Sequence, residues 1–249
     1  YPYWEAPEPA GRALRSSVAK YDPRSGYRHF FQAKGWFLAR KYLAHAAEDL
    51  AKLYEATGDR AFSRRSALLL NRFAEVYPGY CVHYDLPFQE KIIFPRSQGV
   101  PYPVEDFRAA KWDWWAYMDI PADLIRAYDH VRDSGDLTPD MVERIENDLF
   151  RGSVAFTRSV PAALTNMDPT LLRGLITAGM VLNEPEYIHD AVDRIRRLVA
   201  GQFFADGFWR EGALSYHNQT VNGLISLANL LEGYSDPEGY VDQRDGEHF

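Results

Sequence analysis

A single cysteine, Cys81, stands in 249 residues. An internal disulfide is therefore excluded, and the redox compartment is left open. No apolar run approaches the roughly 20 residues that a membrane-spanning helix needs. Positive charge is in deficit, with 28 Lys and Arg against 35 Asp and Glu for a net charge of −7. General nucleic-acid binding requires a basic footprint and is disfavoured, whereas an anionic ligand at a local basic patch is not. There is no HExxH, CxxC or GxSxG, no phosphate loop and no dinucleotide fingerprint. The histidines do not recur at ligand spacing, so neither a metal nor a cofactor is expected. Strand alternation is almost missing too, which excludes a β-rich fold. No secretory leader is recognisable, and the opening YPYWEAPEPAG reads as a mature or trimmed end.

What is present is helical and aromatic. Aromatic residues make up 14% of the chain and are spread along it; aromatic-lined clefts are one way in which proteins hold sugar rings. Residues 1–34 are rich in Pro, Gly and Tyr and read as an irregular segment with a short helix near 9–20. From there the chain reads as helices in succession. The first, 35–57, carries Ala39, Leu43, Ala46, Leu50 and Leu53 on one face. The second starts at Asp59 after Gly58 and carries Phe62, Ser66, Leu70 and Phe73. An irregular stretch follows, from Tyr80 to about Lys111. A helix over 112–132 places Trp115, Leu124, Ile125, Tyr128 and Val131 inward, and Pro121 kinks or restarts it. Thr138-Pro139 and Asp168-Pro169 each read as a cap followed by proline at the first helical position. Asn183 closes one helix, and the next runs over 185–202 with Ile188, Ala191, Val192, Ile195 and Leu198 aligned. The last helix carries Val221, Leu224, Ile225, Ala228 and Leu231.

The pattern also repeats. Gly58-Asp59-x-x-Phe62 with Ser66, Leu70 and Phe73 matches Asn183-Glu184-x-x-Tyr187 with Ala191, Ile195 and Leu198 at constant offset. Repeated helical hairpins imply a solenoid or a closed toroid. Connectors near 58, 135, 183 and 235 are short, whereas 78–111, 160–167 and 203–215 are long. In stacked hairpins alternate connectors fall on opposite rims, so the long ones share one rim. Function is usually built on such loops, and helix N-termini gathered there favour anions. The rim would collect Arg96, Arg108, Lys111 and Trp112 from the first long connector and Asn166 from the second. Trp209, Arg210, Glu211, Tyr216 and His217 come from the third. Trp112 and Trp115 cannot both be ligand platforms, since one must face the core.

The residues Asp206-Gly207-Phe208-Trp209-x-Glu211-Gly212-x-x-x-Tyr216-His217, followed by an apolar helix, resemble the signature of heparinase II/III-like polysaccharide lyases. KWDWWAYMDIPADLIRAYD and TNMDPTLLRGLITAGMVL resemble stretches of the same family's helical domain, and the likeness extends over most of residues 35–240. It implies an all-α, incomplete (α/α) toroid over 35–240, normally followed by a β-sandwich that this chain does not carry. Residues 241–249 then read as a polar tail or a truncated linker. The implied activity is β-elimination on an anionic uronic-acid polysaccharide by a secreted or periplasmic enzyme, with no nucleic acid, membrane or cofactor involved. A base removes the C5 proton, the neighbouring carboxylate is neutralised, and an acid protonates the leaving oxygen.

By the same resemblance Tyr216 is the base, the acid or both, and Asn166 neutralises the uronate carboxylate. Arg210 and a protonated His217 are candidates to lower the proton affinity of the phenol. Arg210, Glu211, Trp209, Lys111, Trp112, Arg108 and Arg96 would contact substrate, although Glu211 equally suits fixing the loop. The family often places a His at or just after the middle-loop Asn; here Met167 and Asp168 follow, which leaves His217 or His83 for that role, or Tyr216 alone. Two rivals stand beside the lyase. One is an (α/α)-toroid glycoside hydrolase using Glu211 with Asp113 or Asp119. The other is a non-catalytic helical scaffold that binds glycan.

Overall fold

A computed structural model describes residues 19–21, 28–80, 82–85, 92–94, 108–112, 120–159 and 164–249, with side chains within 35–80, 110–112, 120–159 and 164–249. The described chain is mostly helical. Its helices are α1 (Phe31–Thr57), α2 (Arg60–Val76), α3 (Ala122–Val131), α4 (Pro139–Arg144), α5 (Gly152–Arg158), α6 (Asp168–Leu182), α7 (Pro185–Gln202) and α8 (Leu214–Leu231), with a π-helical stretch, Ile145–Arg151, joining α4 to α5. Short strands β1 (Ala19–Tyr21) and β2 (Arg28–Phe30) pair antiparallel, and β3 (Val82–Asp85) pairs antiparallel with both β4 (Ile92–Phe94) and β5 (Arg108–Ala110). The stretch 80–111, expected to be irregular, thus carries a small sheet. Among the described residues no helix is long and apolar enough to cross a membrane.

Local chemistry sets several helix ends. Asp59 caps α2 by accepting from the Ala61 amide at 2.8 Å, and Thr138 Oγ1 accepts from the Met141 amide at 3.3 Å ahead of Pro139. Asn183 closes α6 in the left-handed region, at φ 55°, as Gly58 does after α1 at φ 69°. Pro121 directly precedes α3, which begins at the next residue, and the part of the expected helix over 113–119 lies outside the described residues. One expected cap is not a cap. The residue ahead of α6 is Met167, which makes no side-chain cap bond. Asp168 is instead turned inward, 1% exposed, and held by Arg194 at 3.0 Å.

The helices form two layers. In one, α1, α3, α6 and α8 lie side by side and run in the same direction. Three side-chain pairs rise together along α1 and α3: His45 with Asp123, Glu48 with Arg126, and Glu55 with His130. Ile120 lies against Gly174 near the starts of α3 and α6, and Arg132 donates to the Val181 carbonyl near their ends. Met167 and Pro169 meet Gln219 and Gly223 of α8 in the same order. The other layer holds α2, the α4–α5 rod and α7; Arg151 and Arg158 tie the rod to Glu184 and Glu186 of α7. The core between the layers includes Leu70, Leu124, Ile125, Leu149, Phe150, Leu172 and Ile176, all fully buried.

The buried face of α1 differs from the expected one. Ala44, Ala47 and Ala51 are buried, whereas Leu43 and Leu53 are 41% and 44% exposed. Small side chains let α1 approach α2 closely enough for Ser66 Oγ to donate to the Ala47 carbonyl at 2.8 Å. The expected apolar face of α8 is met in part: Leu224 and Leu231 are partly buried against the core, whereas Ile225 is 54% exposed and the fully buried apolar residue is Leu227. Finally, residues 241–249 are not a loose tail. Asp236 and Phe249 exchange backbone and side-chain bonds at 2.9 and 2.7 Å, and the Phe249 ring lies 4.0 Å from the His189 ring.

Candidate functional site

Because α1, α3, α6 and α8 run parallel, their N-terminal ends and the connectors that precede α3, α6 and α8 share one end of the fold. A cleft of about 230 Å³ opens there between α1, α3 and α6. Four cationic side chains line it, Arg40, Lys41, Arg126 and Arg173, together with Trp112 and Thr170. Arg40 is only 7% exposed, and its guanidinium carbon lies 4.4 Å from the Trp112 ring centre, a cation–π distance. Arg126 donates to both Glu48 oxygens, at 2.9 and 2.8 Å, and to Asp123 at 2.7 Å. Burial pushes the Glu48 carboxyl up, but the hydrogen bonds from Arg126 and Lys52 outweigh it and leave the group below its usual range. Glu48 and Asp123 are thus committed to Arg126, whereas Arg173 stands exposed on the wall of the cleft.

On the other side of the α6 N-terminus lies the first turn of α8. The loop before it is a tight reversal: Phe203 bridges to Trp209, Gly207 adopts φ 81°, and Asp206 accepts from the Phe208 amide at 2.9 Å. The loop sets His217. The Trp209 backbone N–H donates to His217 Nδ1 at 3.2 Å, and the Phe208 ring stacks on the imidazole at 4.4 Å and 7°. With Nδ1 accepting, the ring proton sits on Nε2, which is left as a donor. The role of a doubly protonated His217 beside Tyr216 does not suit this arrangement, because the Trp209 amide already occupies Nδ1. Tyr216 projects from the first turn of α8 and is 47% exposed. Arg210 is exposed in the loop.

Trp209 does not offer a sugar platform. Its side chain is buried, 1% exposed, packed edge-on against Phe203, and its Nε1–H donates to Glu211 at 2.8 Å. Glu211 is thereby committed to the loop, the structural role it also suited from sequence. Lys111 sits 4.3 Å from the Tyr77 ring centre with its Nζ 3.4 Å from the Pro78 carbonyl. Trp112 is a core residue rather than an open platform: it stacks on Tyr80, meets Phe73 edge-on and carries Arg40 over its ring, leaving 9% of its surface exposed.

Asn166 is half-buried in the turn before α6, where the Met167 amide donates to Thr165 Oγ1 at 3.2 Å. Met167 Sδ contacts Gln219 Nε2 on α8 at 2.8 Å, so Asn166 and the start of α8 belong to adjoining parts of one rim. Beside them, burial raises the Asp168 carboxyl above its usual value despite Arg194. Arg108 is described only as backbone in β5, and the same holds for His83 in β3. Arg96, Asp113, Trp115 and Asp119 lie outside the described residues.

Arg40, Lys41, Arg126 and Arg173 were not among the sequence candidates. They sit inside helices rather than in the long connectors, and only the topology brings them to one cleft. The adjacent Arg40-Lys41 pair was the one local signal. A scan against protein-family models finds no match to the chain, and a search of curated protein sequences finds none either.

Proposed function

We propose that the chain is the helical, (α/α)-toroid part of a polysaccharide lyase that cleaves a uronic-acid glycan by β-elimination outside the cytoplasm. The observation that carries this reading is the cleft between α1, α3 and α6, with Arg173 exposed on its wall, at the same end of the fold as an exposed phenol, Tyr216. Arg173 suits a carboxylate of a polyuronate. Asn166, an amide donor in the turn before α6, suits the carboxylate of the sugar that reacts.

In this mechanism the base takes the proton from C5 of that sugar. The electron pair forms the C4–C5 double bond while the bond from C4 to the glycosidic oxygen breaks, and that oxygen receives a proton. Neutralising the carboxylate stabilises the charge that develops on it in the transition state. Tyr216 supplies the phenol for one or both proton transfers, and His217 Nε2–H is a donor within the same turn of α8. A hydrolase using Glu211 is less well supported, because that carboxylate already accepts from Trp209 Nε1.

The test is incubation of the protein with polyuronates and glycosaminoglycans, following absorbance of the conjugated unsaturated uronate end. Product with that absorbance is expected. New reducing ends without it indicate a hydrolase, and saturable binding without either product indicates a scaffold; each result overturns the lyase reading.

A further inference from the structure

A second cluster lies where residues 234–249 dock on α7. His189 of α7 is 2% exposed. Its Nε2 lies 2.8 Å from Asp236 Oδ2. Asp236 also accepts from the Phe249 amide at 2.7 Å and from the Tyr234 hydroxyl at 2.8 Å, so it is an acceptor throughout and the Nε2 proton points at it. In the neutral ring Nδ1 is then the lone-pair nitrogen. Nδ1 is buried with no hydrogen-bond partner among the described residues, and Asp242 Oδ2 lies 3.7 Å from it. A nitrogen lone pair facing a carboxylate oxygen is repulsive unless a positive charge, a proton or a metal ion, lies between them. Asp245 brings a second carboxylate, and one ligand atom from each of His189, Asp242 and Asp245 falls within 4.8 Å of the other two.

We propose that His189 Nδ1, Asp242 and Asp245 bind a divalent cation of the zinc class. The donor set is one imidazole nitrogen and two carboxylates, which suits zinc or manganese and does not suit calcium, which takes six to eight oxygens. A neutral imidazole with two carboxylates carries charge −2, matched to the ion. The contact from His189 Nε2–H to Asp236 is the outer partner that ligating histidines use to fix their tautomer and ring plane. Arg244 holds Asp242 through Nε at 2.9 Å and Nη2 at 2.7 Å. Its side chain is 49% exposed and also pairs with Asp190, so it has room to swing toward that partner when the cation takes Asp242. Asp245 is exposed and keeps one oxygen on the Glu247 amide at 2.9 Å, which leaves the other for the metal and lets the carboxylate close the remaining gap. One water completes a tetrahedral shell, and two complete a five-coordinate one. The bound ion joins Asp242 and Asp245 to α7 and so clasps the segment onto the helix.

The experiment uses the full chain, stripped with chelator and then titrated separately with zinc, manganese and calcium chlorides by calorimetry and thermal melting. Wild type is expected to bind one equivalent of zinc that Asp245→Asn does not bind. At a free zinc concentration about 100 times Kd, its melting temperature should rise by roughly 5–10 °C. Asp245 is exposed, so the metal-free variant should melt within about 1 °C of metal-free wild type. Zinc at the other, exposed histidines appears equally in both proteins and cancels in the comparison. Equal zinc responses in the two proteins, no zinc response in wild type, or a calcium response as large as that of zinc would each overturn the proposal.

Discussion

Gly223 of α8 lies so close to Pro169 of α6 that a Cβ added to it would stand 2.6 Å from the proline Cβ. The rigid proline ring cannot swing away, so α8 takes its seat on α6 through this glycine. The same contact sets where Tyr216 stands relative to Asn166. Gly223→Ala should therefore cost about 1–3 kcal/mol of overpacking, less up to about 1 kcal/mol of improved helix propensity. Gly201→Ala on α7 is the contrast, since a Cβ there meets nothing within 4 Å, and propensity alone should raise or maintain its stability. Chemical denaturation of the two variants decides. If Gly223→Ala is as stable as Gly201→Ala, the close seat of α8 is wrong.

Tyr216→Phe removes one oxygen from a side chain that is half in solvent. Its melting temperature should stay within a degree or two of wild type, and turnover of a polyuronate should fall about a hundredfold or more, with binding largely retained. A variant that still releases unsaturated product near the wild-type rate removes the phenol from the chemistry.

Arg173 is an exposed cation on the wall of the cleft. Arg173→Ala should weaken polyuronate binding roughly three- to tenfold at low salt while changing stability by less than about 0.5 kcal/mol. The difference from wild type should shrink as ionic strength rises toward about 0.5 M, where exposed charges are screened. Affinity measured across that salt series tests it; unaltered binding at low salt would place the glycan elsewhere.

Glu48 gives a pH prediction whose sign follows from its environment. Its folded carboxyl lies below the ordinary value of 4.5, because its bonds to Arg126 and Lys52 outweigh burial. Its contribution to stability is therefore fully present above about pH 4.5 and is lost as pH falls through the lower, folded value. Glu48→Gln should lose about 2 kcal/mol at neutral pH. Melting curves of the two proteins should converge as the pH is lowered below about 4.5. Curves that stay equally spaced as the solution is acidified would contradict the assignment.

The helix ends were legible because they are written in neighbouring residues. Thr138 before Pro139 reaches the Met141 amide, and Asn183 takes the left-handed turn that a helix stop needs. The matching hairpins were legible for the same reason: Gly58 and Asn183 both adopt positive φ, and Ser66 and Ala191 are both buried at equivalent positions. What escaped depends on distant partners. The leucines of α1 suggested the wrong face because α1 is inserted among other helices, where close approach favours Ala47 and Ala51 over larger residues. Asp168 looked like a cap, but Arg194, on the next helix, draws it inside. β3, β4 and β5 are three or four residues long, too short for alternation to register.

The candidate site was half legible. Tyr216 and His217 announced themselves by their place at a loop-to-helix junction, and Asn166 by the turn before α6. Trp209 looked like a ligand platform and is a core residue, since nothing in its neighbours signals that the loop folds back over it. The docked segment after Tyr234 was illegible for a similar reason. Its anchors are single residues, Asp236, Asp242 and Phe249, and their shared partner His189 lies in a helix that reads as complete without them.

Arg126 is shared between Glu48 and the cleft, and this ties ligand binding to proton exchange. An anion that draws the guanidinium toward itself takes hydrogen bonds away from Glu48. The carboxyl, still buried, then holds a proton more readily than before. At mildly acidic pH each binding event would therefore take up part of a proton from the buffer. The heat of binding would depend on the ionisation enthalpy of the buffer chosen, and affinity for a polyanion would strengthen as the solution is acidified toward the point where the glycan itself begins to lose its charge.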